Sequence, residues 1–114
     1  LWAAAVGKGA LLSARSQAAR LRTAEIIPGG ARYGFAIMNA NGWIGHNGDI
    51  PGYTTVVVYL PERDATLVVM TNSDEPHDHA AGQLATAVTQ IAIPDDVYRL
   101  GAAPSAASPS QPGS

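Results

Sequence analysis

The sequence predicts an α/β-type domain in which helices pack on an antiparallel sheet. Three observations carry that expectation. Residues 32–39 alternate with a two-residue period, Tyr33, Phe35 and Ile37 on one side and Gly34, Ala36 and Met38 on the other, and Asn41-Gly42 follows. Such alternation is a strand signature, and Asn-Gly suits a type I′ hairpin turn, whose two central residues both need positive φ. Residues 53–60 form a nearly continuous apolar, β-branched run, as in a strand buried on both faces. Residues 80–92 place Leu84, Val88 and Ile91 at helical spacing, a face expected to lie on the sheet.

Taken in order, residues 1–8 are Ala-rich and read as a helix ended by Gly7 and Gly9. Ser13 fits an N-cap, opening a short helix over 13–22 with Ala14, Ala18 and Leu21 on one stripe and the arginines mostly on the other. Pro28-Gly29-Gly30 is a loop. The alternating segment and its Asn-Gly turn come next, then a return strand over 43–47 and a loop over 48–52. The 53–60 strand ends at a Pro61-Glu62-Arg63-Asp64 turn, with proline at its start. Residues 65–71 form a fourth strand, which completes a meander needing cover on both sides. After an acidic connection over 72–78, Pro94 stops the last helix. From residue 102 only Ala, Pro, Ser, Gln and Gly occur, a composition expected to be disordered. The domain is thus expected over 1–100, with a tail over 101–114.

The chain has 114 residues, enough for one domain or part of one. Its charged fraction, 14 %, lies below the usual value of about 25 %, so some of its surface is expected to be covered by something outside it. Net charge is −2 with no basic cluster, and nucleic acid is not an expected partner. With no cysteine there is no disulfide, thiolate or Cys-zinc chemistry. No apolar run reaches the ~20 residues of a membrane-spanning helix. The first residues carry neither an initiator Met nor a signal-peptide pattern and read as the middle of something larger.

Chemistry concentrates in Trp43-Ile44-Gly45-His46-Asn47-Gly48-Asp49-Ile50-Pro51-Gly52-Tyr53. A polar side chain on a glycine-flanked strand end is a way to present chemistry at a sheet edge. The plain alternative is a hydrogen-bonding surface histidine. His77 and His79 have metal-ligand spacing, but they precede a helix and no third ligand is placed; a solvated helix entry is the simpler reading, and neither metal nor cofactor is expected. Asp74, Glu75 and Asp78 suit a helix N-terminus. There is no Gly-x-Ser-x-Gly elbow and no Ser-x-x-Lys, since Ser13, Ser16 and Ser73 lack a lysine three residues on. The chain holds no complete catalytic constellation of its own.

His46-Asn47-Gly48 on a strand, Asp49-Ile50-Pro51-Gly52-Tyr53 after it, a buried strand, then Leu60-Pro61-Glu62-Arg63 and Leu67-Val68-Val69-Met70-Thr71-Asn72-Ser73 form a linked series. Tyr33-Gly34-Phe35 and the Leu11-Leu12-Ser13 helix precede it. The series, over roughly residues 1–93, resembles the C-terminal part of the serine β-lactamase-like family: class C β-lactamases, D-alanyl-D-alanine carboxypeptidases and related esterases. The resemblance implies a C-terminal fragment of the β-lactamase/transpeptidase-like fold. It also implies an acyl-enzyme formed on the serine of a Ser-x-x-Lys motif, supplied by an upstream chain or half-domain. The partner would be a small-molecule or peptide acyl substrate, in a compartment outside the cytoplasm.

On this resemblance His46 stands at the Lys-Thr-Gly or His-x-Gly position, as in the carboxypeptidase and esterase branches. Its imidazole is expected to hold a substrate carboxylate and tune the nucleophile's proton network. Asn47 and Gly48 are implied substrate contacts, Gly48 clearing space along the strand. The backbone N–H of Asp49 is the implied oxyanion-hole donor. Asn47 replaces the family's hydroxyl residue, and Asp49 sets a carboxylate beside an anion site. These departures keep a second reading open, a non-catalytic binding or regulatory domain of the same fold; a small independent α/β binding domain is a third.

Overall fold

The computed structural model describes residues 1–22, 25–26, 30–73 and 80–100. Among them, six strands form one sheet in chain order, β1 (Glu25–Ile26), β2 (Arg32–Tyr33), β3 (Met38–Ala40), β4 (Trp43–Ile50), β5 (Tyr53–Leu60) and β6 (Ala65–Thr71), every neighbouring pair antiparallel. Helix α3 (Ala80–Ala92) covers one face, and α1 (Trp2–Lys8) lies across β4–β6 on the other. Helix α2 (Ala14–Leu21) joins α1 to the sheet. The expected α/β arrangement on an antiparallel meander is therefore present. The expected tail and the His77/His79 pair lie outside the described residues.

Local signals behave as their chemistry requires. Ser13 caps α2, its hydroxyl accepting from Ser16 N–H at 3.1 Å. Asn41 and Gly42 take φ of +55° and +89°, as a type I′ turn demands. Strands β5 and β6 and helix α3 have the expected bounds.

Four expectations are corrected. The alternating segment is not one strand: β2 and β3 pair with each other, and residues 34–37 form the reversal between them. The end of α2 holds that reversal, where the Arg20 carbonyl accepts from Phe35 N–H at 3.2 Å. Ile37 is consequently buried, whereas Phe35 is 81 % exposed. Second, β4 runs on to Ile50, and the expected 48–52 loop shrinks to the turn Pro51-Gly52. Third, α2 buries none of its residues; Gln17 ties it to α1 through the Val6 carbonyl at 3.0 Å. Fourth, α3 lays its small residues Ala81, Gly82, Ala85 and Thr89 on the sheet, and Leu84, Val88 and Ile91 point outward. Small side chains let the helix axis approach closely, so the close packing wins over the larger stripe. Strand β6 is likewise half-covered, with Val68 and Met70 exposed.

The core lies between β3–β6 and α3, with Met38, Trp43, Val56, Val58, Leu60 and Tyr98 buried together. Trp43 is pinned as well as packed: its indole N–H donates to the Asp96 carbonyl at 2.7 Å, while Arg63 Nε holds the Asp96 carboxylate at 2.8 Å. Thr54, 1 % exposed, accepts from Ala81 N–H at 3.0 Å and shares a 2.7 Å hydrogen bond with Thr71. It satisfies one of the amides that the start of α3 leaves without an intrahelical partner.

Tyr98 is the exception to this satisfied core. It is fully buried, and its hydroxyl has no hydrogen-bond partner among the described residues. Burial pushes its phenol up to about 12, because the phenolate is disfavoured away from water. A raised folded value leaves stability intact below the unfolded tyrosine pKa, near 10, and removes it as pH rises toward 12. Tyr98→Phe is accordingly expected to raise stability at neutral pH by about 1 kcal/mol, the orphaned hydroxyl being removed. It should also flatten the loss of stability above pH 10. Thermal unfolding of both proteins across pH 7–12 measures both effects.

Candidate functional site

The two-residue turns at the ends of β4 set the direction of its backbone groups. Each turn is flanked by a hydrogen-bonded pair, Ala40↔Trp43 on one side and Ile50↔Tyr53 on the other. Hydrogen-bonded and non-hydrogen-bonded pairs alternate along an antiparallel ladder. His46, Gly48 and Ile50 therefore direct their backbone groups to β5, whereas Gly45, Asn47 and Asp49 direct theirs toward the β3 side. Strand β3 pairs with β4 only as far as Gly45. Beyond that point no strand among the described residues pairs on that side, and the Asn47 and Asp49 amides face an edge that β3 does not cover.

The side chains alternate in the same way. His46 and Gly48 share the α1 face with Val57 and Thr55; Asn47 and Asp49 share the opposite face with Val56 and Thr54. The four sequence-predicted site residues are thus neighbours along the chain but divided between two faces. At the strand edge only Asn47 and Asp49 of the four turn their backbone groups toward the β3 side. Gly45 is dictated by contact, since a Cβ there would run into the carbonyl oxygen of Val57. At Gly48 a Cβ would come within 2.6 Å of Thr55 Oγ1, so packing across β4–β5 already accounts for that glycine.

His46 is exposed, yet both its ring nitrogens are engaged. Nδ1 lies 2.6 Å from the Asn47 carbonyl oxygen, and Nε2 lies 2.8 Å from the Tyr33 hydroxyl. A carbonyl only accepts, so Nδ1 carries hydrogen; in the neutral ring Nε2 then accepts from the Tyr33 O–H. The two rings meet edge to face, centroids 5.6 Å apart and planes at 87°. Nε2, one of the two ring nitrogens through which His46 could hold a substrate carboxylate, meets the Tyr33 hydroxyl in this structure. Tyr33 itself was legible only as a strand residue. The missing signal was the β2–β3 reversal, because the register Tyr33↔Met38 and Met38↔Gly45 sets Tyr33 two strands from the residue preceding His46.

Beside His46, on the α1 face, opens an apolar cleft of about 190 Å³ lined by Trp2, Val6, Ile37, Ile44 and Val57. Lys8, the sole lysine of the chain, does not reach toward His46 but bonds Asp64 at 2.8 Å; Tyr59 donates to the same carboxylate oxygen at 2.8 Å. That hydrogen bond, with the attraction between the charges, raises Lys8 above the usual lysine range and lowers Asp64 below the usual carboxylate range. Lys8 is thus held in its charged form and is unsuited to act as a base. Among the described residues no group of His, Asp or Glu could hold a metal ion, and no helix is long and apolar enough to cross a membrane.

No curated protein and no solved structure matches the chain. A protein-family model does. The model for the family Beta-lactamase matches residues 2–90, from α1 through the His46 edge almost to the end of α3. With the antiparallel sheet covered by helices, this match shows that the chain belongs to the β-lactamase family.

Proposed function

We propose that this chain supplies the His-x-Gly edge of a serine hydrolase of the β-lactamase, D-alanyl-D-alanine carboxypeptidase or esterase type. The observation that carries the reading is the ladder parity of β4, which directs the Asp49 amide toward the β3 side, three residues from His46. An acyl substrate laid along that edge would place its carbonyl oxygen at Asp49 N–H, a donor for the oxyanion of acyl transfer. The serine nucleophile and its lysine are supplied by a further segment, because no Ser-x-x-Lys occurs here and Lys8 is committed to Asp64. The outward Leu84, Val88 and Ile91 of α3 support such a segment, since an apolar helical stripe of this kind asks for cover.

The test is His46→Ala in the full-length protein that carries this sequence. Turnover of an ester or amide substrate is expected to fall about ten-fold or more if His46 holds proton or charge in the transition state. Unchanged kcat and KM would remove His46 from the mechanism. The second reading, a non-catalytic binding or regulatory domain, is favoured by the Asp49 carboxylate beside an anion-binding edge. A full-length protein that binds acyl ligands without forming an acylated serine would select it.

A further inference from the structure

Tyr33 has no role in the proposed hydrolase site, yet among the described residues it makes the one side-chain hydrogen bond to His46. An exposed histidine on a strand rotates about χ2 at little cost, exchanging each ring nitrogen with a ring carbon. Here both positions are specified. The Asn47 carbonyl at 2.6 Å demands a hydrogen on Nδ1, and the Tyr33 hydroxyl at 2.8 Å meets Nε2. Neutral histidine in water favours hydrogen on Nε2, so this pairing selects the less common tautomer. The orientation is reinforced by the edge-to-face contact of the rings. Tyr33 is half-buried and packs against the core cluster, so its hydroxyl is delivered by a side chain that is itself held.

We propose that Tyr33 is a positioning residue that fixes His46 as the Nδ1–H tautomer, with an unprotonated Nε2 that accepts from the Tyr33 hydroxyl. The proposal rests on the hydrolase reading only for its effect on turnover; the tautomer itself is a property of the fold. Its consequence for chemistry is a contact that survives a change in the charge of the ring. When His46 takes up a proton, Nε2 becomes the donor and the Tyr33 oxygen the acceptor, so the contact persists while its direction reverses. Neither bond is made or lost, and the ring need not move. A phenylalanine at position 33 would preserve the ring contact and abolish this property alone.

The experiment is ring-nitrogen NMR on the full-length protein labelled with ¹⁵N-histidine, in wild type and Tyr33→Phe. The sequence holds three histidines, and the His46→Gln spectrum identifies the signals of His46. In wild type with His46 neutral, its ring is expected to show a pyrrole-like Nδ1 and a pyridine-like Nε2. In Tyr33→Phe the Nε2 resonance is expected to shift and the two tautomers to mix. Turnover should fall about ten-fold, as expected when a proton-carrying histidine loses its orientation, with KM nearly unchanged. A His46 with hydrogen on Nε2 in wild type overturns the proposal without any variant, and so does a Tyr33→Phe spectrum identical to wild type. Loss of the tautomer preference with unchanged kcat upholds the positioning role and instead strikes His46 from the proposed mechanism, so the two readings fail separately.

Discussion

On the proposed hydrolase reading, Asp49→Pro in the full-length protein is expected to lower kcat by roughly 10²–10³-fold while the sheet stays folded. Removing one oxyanion donor typically raises the barrier by about 2.7–4 kcal/mol, and proline has no N–H to give. Ladder parity spares the β4–β5 hydrogen bonds in this variant. Asp49 pairs with Thr54 at a non-hydrogen-bonded position, its amide turned from β5, and Gly48 before it is already extended. Proline is accepted in strands where its nitrogen faces away from the ladder. Two controls make the result specific. Asp49→Ala keeps the amide and should leave turnover near wild type. Gly48→Pro removes a ladder hydrogen bond to Thr55 and should reduce stability first. Measured kcat and melting temperature for the three variants separate the donor from the strand. If Asp49→Pro retains full turnover, the Asp49 amide is not the donor.

Trp43→Ala is expected to destabilise the protein by about 3–5 kcal/mol, the usual range for emptying a buried Phe or Trp position. Trp43 is 1 % exposed, lies in the core cluster and starts β4 beside the Asn41-Gly42 turn. It is also the link between the sheet and the segment that follows α3, through its 2.7 Å bond to the Asp96 carbonyl. Trp43→Phe keeps much of the volume and loses that bond, and should sit well short of the alanine variant. Chemical denaturation of the full-length protein gives both values. A loss below about 1 kcal/mol for alanine, typical of surface sites, would show that Trp43 does not anchor the core. Because β4 carries both Trp43 and His46, turnover in Trp43→Ala should decline with temperature earlier than in wild type.

Much of the fold was legible because its signals are local. Asn41-Gly42 needs only its own two residues to take positive φ, Ser13 only its own hydroxyl, and Pro94 only its missing N–H. The unbroken 53–60 run likewise marks a central strand regardless of what surrounds it. The errors share one cause. Tyr33, Phe35 and Ile37 alternate on paper, but the Arg20 carbonyl captures the Phe35 amide and folds the segment back on itself. Leu84, Val88 and Ile91 are the hydrophobic stripe of α3, but Ala81, Gly82 and Ala85 permit the closer approach to the sheet. In both cases a contact distant in sequence overrode a periodicity within it.

The same division governs the site. By itself the sequence determined that a glycine-flanked His46-Asn47-Gly48-Asp49 segment sits on a strand next to a buried one, and that no Ser-x-x-Lys accompanies it. Tertiary structure alone decided that β3 pairs with β4 only as far as Gly45, that the Asp49 amide is directed to that side, and that Tyr33 reaches Nε2 of His46. The reason is physical. Strand propensity and turn chemistry are encoded in neighbouring residues, whereas the direction of an amide and the tautomer of an imidazole are set by register between strands. Register is a property of the paired sheet, shared among residues that the linear sequence keeps apart.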